Sequence, residues 1–229
     1  LQNFPIFLVY FVGKDYLCTR EQYTMVQDRS LKDIIGNLPE GSIVFRTDFP
    51  QYHPEFVGNI LSVMVDKNHL TKIAQGIYLK PRRSKFGVIK PSAYQVAESI
   101  AKRDNADILP TGETALNELG LSTQVPVNYT FLTTGSARNV RLGNLSIIFK
   151  RSVPRNFAYR TKLMAYFVQA LRALGEKNVD DAILSQLAAL IDKEPDQAVL
   201  IEDLKHAPVW MRKILKPYIH EKTLDKKQC

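Results

Sequence analysis

The chain has 229 residues, 45% of them apolar and 24% charged, with a formal net charge of +8 and a sequence pI near 9.4. That length and composition fit one large or two modest folded domains and argue against a disordered or membrane-embedded class. Two cysteines, Cys18 and Cys229, exclude a disulfide framework or a cysteine-rich zinc site, and the basic balance points to an anionic partner, nucleic acid first.

The longest apolar run, from Phe4 to Gly13, is too short to span a bilayer. No basic segment precedes it and no small-residue cleavage site follows, so it does not read as a signal peptide. Met25 opens a more typical cytosolic start than Leu1, and residues 1–24 are expected to be an upstream or non-native lead outside the functional fold. A cytoplasmic protein is expected, with no membrane partner.

Ser30 is placed as the N-cap of a first helix, with Asp33 three positions on, and Pro39 and Gly41 end it. Ser42–Phe45 is a short β-branched strand, and Asp48–Pro54 is turn material with room for a short helix. From Glu55 to about Asn68 the spacing predicts a longer helix, with Val57, Ile60, Leu61, Met64 and Val65 as its apolar stripe. Its other side carries Gly58, Asn59, Ser62 and Asp66, with Glu55 at the start, side chains of mostly little bulk that suit a major groove. His69–Ala74 and Ile77–Pro81 then read as a hairpin around Gln75–Gly76, leading into Arg82-Arg83-Ser84-Lys85. Helix, strand, short helix, longer helix and hairpin is the order of a winged helix-turn-helix, expected over residues 25–90.

Residues 91–229 read as a small α+β domain with C-terminal helices, so the expected fold class is α+β. Its elements are a helix over Tyr94–Arg103, a strand at Asp107–Pro110, a helix over Glu113–Leu119, and strands near Tyr129–Thr133, Asn139–Arg141 and Leu145–Lys150. From Tyr159 onward the pattern is helical, with Trp210 expected as a core anchor.

Charge is unevenly placed. Lys67, Lys72, Lys80, Arg82, Arg83, Lys85 and Lys90 occur between Lys67 and Ala97 without one Asp or Glu. A second acid-free stretch, Leu119 to Gly175, contains Arg138, Arg141, Lys150 and Arg151 among its cations. Two such blocks point to nucleic acid more strongly than net charge does, because a local field holds phosphates.

Three segments carry a family resemblance. DKNHLTKIAQGIYLKP, PTGETALNELGLSTQVPVNYTFLTTG and DLKHAPVWMRKILKP, in that order, resemble blocks of the AbiE-type (type IV) toxin–antitoxin antitoxins and related winged-helix transcriptional regulators. The resemblance runs from about Ser30 to Pro217. It implies an operon repressor that binds repeats in its own promoter in double-stranded DNA, acting in an abortive-infection system. It also implies a second domain that counters a nucleotidyltransferase-like toxin, in many members without a stable complex. By that resemblance, DNA contact is assigned to Asn59, Ser62, Lys67, Lys72, Arg82, Arg83 and Lys85; the first acid-free block adds Lys80, and the second offers Arg138, Arg141, Lys150 and Arg151 as a candidate second basic surface.

Nothing in the chain points to catalysis. His53, His69, His206 and His220 lack metal spacing, no Gly-rich phosphate loop is present, and Thr134–Arg138 reads as a plain turn. No cofactor and no metal are expected. Two competing readings remain: a protein-interaction module whose basic second domain docks an acidic partner, and a nuclease accessory subunit that grips phosphates without sequence choice. Salt dependence and sequence preference separate the three.

Overall fold

The structure, a computed structural model, describes residues 20–225, with side chains from residue 28 to residue 219. It is mixed α+β, and the chain divides into two compact units, one ending at Pro91 and the other starting at Ser92. Most of the expected lead, residues 1–19, lies outside the described residues.

In the first unit, α1 (Arg20–Gly36) is helical well before Ser30, so Ser30 sits inside the helix rather than capping it. The cause is local. No Gly or Pro interrupts residues 20–30, and an Asp28–Lys32 ion pair of 2.7 Å ties two successive turns across Ser30. The Ser30 hydroxyl instead accepts a hydrogen bond from Tyr52 at 3.2 Å. After β1 (Ile43–Phe45) comes a short 3-10 helix over Arg46–Asp48, closed by the Asp48 carboxylate accepting the Phe45 amide at 2.8 Å.

Helix α2 (Pro54–Asp66) opens on a proline, whose fixed φ and missing N–H are harmless in a first turn. Val57, Ile60, Leu61 and Met64 repeat at helical spacing and are buried with Leu31, Ile35 and Val44 in one core. Asn68, in the left-handed region at φ 58, ends the helix and turns the chain into β2 (Thr71–Ala74) and β3 (Ile77–Leu79). These strands and β1 form an antiparallel sheet in the order β1-β3-β2.

The basic segment that follows the expected hairpin forms a hairpin of its own. β4 (Arg82–Ser84) and β5 (Gly87–Ile89) pair antiparallel as a separate two-stranded hairpin. All six strand residues are exposed, so the apolar-in, polar-out alternation that announces a half-buried strand is absent.

The second unit begins with α3 (Ala93–Arg103), set by a reciprocal capping box. The Ser92 hydroxyl accepts the Gln95 amide at 3.1 Å, and the Gln95 side chain accepts the Ser92 amide at 2.9 Å. Then come β6 (Ile108–Pro110), α4 (Glu113–Glu118), β7 (Asn128–Thr133), β8 (Arg138–Leu142) and β9 (Leu145–Arg151). The sheet order is β6-β7-β9-β8, with β7 and β9 parallel and the other pairs antiparallel. At the crossover after β7 a Cβ on Gly135 would lie 2.9 Å from the Ala106 Cβ, which requires glycine there.

Four helices follow: α5 (Lys162–Leu174), α6 (Asp181–Lys193), α7 (Gln197–Leu204) and α8 (Val209–Asp225). They share an apolar core that includes Phe167, Leu171, Leu187 and Met211, and Trp210 packs half-buried against it. Among the described residues no helix is long and apolar enough to cross a membrane.

Candidate nucleic-acid interface

Core packing of α2 decides which of its side chains are available. With the Val57–Met64 stripe buried, Glu55, Asn59, Ser62 and Asp66 share the opposite, exposed side. The Ser62 hydroxyl donates to the Gly58 carbonyl at 2.9 Å, an in-helix bond that leaves oxygen lone pairs facing solvent. Arg46 lies beside this face. Its side chain runs along Gly58, with Cδ 3.6 Å from where a Gly58 Cβ would stand, while the residue itself is exposed. Sequence reading passed over Arg46, because a lone cation in a turn has no periodicity to give it a direction.

Of the eight residues assigned to DNA contact, seven are exposed. Lys67 caps the C-terminus of α2, Lys72 sits on β2, and Arg82, Arg83 and Lys85 belong to the β4–β5 hairpin. Lys80 differs from them. It is half-buried, and its ammonium donates to the carbonyls of Gly36 and Leu38 at the C-terminus of α1. A cation on the last carbonyls of a helix stabilises the otherwise unpaired acceptors and the negative end of the dipole. Lys80 therefore holds the fold beneath the face and does not belong to its exposed cations.

The hairpin adds a feature that charge counting alone missed. Phe86 stands at its tip, 89% exposed, with the Lys85 ammonium 5.1 Å from the ring centroid. Arg83 donates to the Asn68 carbonyl at 3.3 Å, linking the hairpin to the turn that ends α2.

In the second unit the four assigned cations do not form one surface. Register pairs Arg138 with Phe149 and Arg151 with Thr133, on the strand parity of buried Phe131 and Phe149. Arg141 pairs with Ser146 and Lys150 with Leu132, on the other parity. Arg138 is also engaged internally, in an ion pair with Asp104 and stacked 5.4 Å over Phe149. Burial, with the neighbouring Arg103, pushes its guanidinium down from the usual range. A charge count along strands overlooks the two-residue period that sends neighbours to opposite faces.

One polar cluster in this unit was not foreseen. The hydroxyls of Tyr94 on α3 and Tyr166 on α5 share a hydrogen bond, and the Lys162 ammonium lies 5.1 and 5.5 Å from their ring centroids. Glu98 stands 3.7 Å from Lys162. Burial, reinforced by the Tyr94 bond, holds the Tyr166 phenol far above its ordinary value. The cluster joins α3 to α5 through two phenols and one cation, an arrangement that ties the two helices together.

The described residues thus define a mixed α+β chain whose first unit presents an exposed helix face bearing Glu55, Asn59, Ser62 and Asp66, and an exposed, acid-free basic hairpin tied by Arg83 to the turn after that helix. By sequence the chain belongs to a family of unknown function, DUF6088, whose model matches residues 30–199. No curated protein matches it.

Proposed function

We propose that this chain is a DNA-binding transcriptional repressor whose first unit is a winged helix-turn-helix with α2 as the recognition helix. The observation that carries the reading is the exposed Asn59/Ser62 face of α2, flanked by Glu55 and Asp66, together with exposed Lys67, Lys72, Arg82, Arg83 and Lys85, cations that lie in a stretch without a single acidic residue from Lys67 to Ala97. Small polar side chains can approach base edges while flanking cations hold phosphates, which is the division of labour that specific readout requires. The element order α1, 3-10 helix, α2, β2–β3 and the sheet order β1-β3-β2 agree with such a module.

The resemblance to AbiE-type antitoxins extends the proposal: the protein represses its own operon from the cytoplasm and is the antitoxin to a nucleotidyltransferase-like toxin. The division of Arg138, Arg141, Lys150 and Arg151 between two sheet faces weighs against a second unit that docks an acidic partner through them.

The test is a mobility shift on the DNA upstream of its own gene and on scrambled DNA, at two salt concentrations. Preferential, salt-sensitive retardation of the upstream fragment is the expected result. Equal retardation of both would replace the repressor with a nonspecific phosphate grip, and absence of any shift would overturn the DNA reading.

A further inference from the structure

The β4–β5 hairpin carries more than cations. Its tip is a two-residue turn, Lys85-Phe86, pinned from both sides by one hydroxyl. Ser84 Oγ donates to the Gly87 carbonyl at 3.0 Å and accepts the Phe86 amide at 3.2 Å. Gly87 takes φ +116, a conformation L side chains rarely adopt, which lets the chain reverse directly behind the ring. Phe86 is thus held outward on a short braced support. It is the only aromatic among the exposed large apolar side chains of the described residues. Val88 and Ile89, 41% and 48% exposed, follow it on β5.

The arrangement of charge identifies what such a tip can enter. Arg83 faces Val88 and Arg82 faces Ile89 across the hairpin, so each face carries one cation and one apolar side chain. An apolar protein groove would leave both guanidiniums desolvated without partners, which is strongly unfavourable. Duplex DNA suits the mixture: its phosphates line the outside and its base stack is apolar within. Apolar side chains inserted between base steps from the minor groove unstack them and kink the duplex, with flanking cations on the backbone.

We propose that Phe86 is a wedge that the β4–β5 hairpin drives between base pairs of bound duplex DNA through the minor groove, with Arg82, Arg83 and Lys85 on the flanking phosphates. The proposal rests on the DNA-binding reading above. It makes the protein a deformer of its site as well as a reader, and it sets a preference for flexible pyrimidine–purine steps that no base-edge contact supplies. The Arg83 bond to the Asn68 carbonyl fixes where the wedge enters relative to the groove occupied by α2.

The experiment uses the full chain and a short duplex of its upstream DNA with 2-aminopurine at a TpA step, read by fluorescence, alongside end-to-end energy transfer for bending. Wild type is expected to raise 2-aminopurine fluorescence and shorten the end-to-end distance. Phe86→Ala, at so exposed a position, is expected to keep the wild-type melting temperature, lose both signals and bind about tenfold more weakly, the scale of one lost base-stacking contact. Wild-type binding in the mobility shift without a fluorescence rise would overturn the wedge while leaving the DNA reading intact. So would a Phe86→Ala protein that bends and unstacks like wild type. Loss of binding to anionic lipid vesicles by Phe86→Ala, with DNA unstacking unchanged, would assign the tip to a membrane surface instead. Failure of wild type to bind any duplex would remove the DNA reading and the wedge together.

Discussion

Arg83 Nη2 donates to the carbonyl of Asn68 at 3.3 Å, and through that bond the exposed hairpin is held to the turn that ends α2. Only one of the five guanidinium donors is used, so the rest of the group remains available to phosphate. Positioning and charge therefore reside in one side chain.

Replacing Arg82 and Arg83 together by alanine is expected to weaken DNA binding on every sequence tested. If both contact phosphates, the slope of log affinity against log salt becomes shallower by about 2. Affinity titrations at several salt concentrations check this. An unchanged slope would place the two arginines off the phosphate backbone.

Asn59→Ala should act differently. Asn59 is the one amide on the exposed α2 face, where it can pair with one base edge. The expected outcome is a change in sequence preference of about 1–3 kcal/mol at one position, with the salt slope retained. Selection of bound sequences from a random pool, compared between wild type and variant, measures it. An identical preferred sequence would remove α2 from the recognition role.

Lys80→Met separates the fold from the surface. Its ammonium occupies the Gly36 and Leu38 carbonyls, so the variant is expected to lose about 1 kcal/mol of stability and to bind DNA almost unchanged when folded. Chemical denaturation and a mobility shift on the same preparation distinguish this from a phosphate contact, whose loss would leave stability alone and weaken binding.

The contrast between Lys80 and Arg82 shows where sequence reading stopped. Both lie in one basic run two residues apart, and nothing in their spacing tells a helix-capping lysine from an exposed arginine. The distinction comes from α1, more than forty residues earlier, whose C-terminus ends under Lys80. α2 was legible because Val57, Ile60, Leu61 and Met64 announce both the helix and its buried side, which leaves Asn59 and Ser62 outside. The β4–β5 hairpin was illegible because none of its strand residues is buried. The N-cap assigned to Ser30 failed because a capping signal is only a permission to start, and an uninterrupted run from Arg20 onward overrode it. The strands of the second unit were read close to their observed bounds. Their register was not, and register is what divides Arg138 and Arg151 from Arg141 and Lys150.

A buried carboxylate anchors the second unit. Asp203, 2% exposed, accepts the Arg160 amide at 3.0 Å and both the amide and the hydroxyl of Thr161 at 2.7 Å, fixing the start of α5 against α7. Asp203→Ala strands all three donors and is expected to cost about 3 kcal/mol or more, whereas Thr161→Val, which removes one of them, should cost about 1 kcal/mol. Urea midpoints of both variants test the ranking. DNA affinity, assigned to the other unit, should survive in the milder one.

The Tyr94–Tyr166 pair is expected to destabilise the fold at alkaline pH, with a defined sign. Tyr166 is buried, and burial together with the Tyr94 hydroxyl raises its folded pKa above the ordinary tyrosine value of about 10. A group whose folded pKa is raised contributes stability that is fully present below the unfolded value and is lost as pH climbs past it, because the unfolded chain ionises first. Lys162 works in the same direction: burial lowers its pKa, but the bond to Tyr94 and the charges of Glu98 and Glu118 together outweigh burial and leave it raised. The contribution of this cluster should therefore be constant through neutral pH and fall above about pH 10. Tyr166→Phe should start lower at neutral pH, having lost the shared hydroxyl bond, and decline less steeply on the alkaline side. Urea midpoints at neutral pH and above pH 10 for both proteins give the comparison. Parallel alkaline declines would show that the loss comes from other lysines and tyrosines and that the pair contributes packing alone.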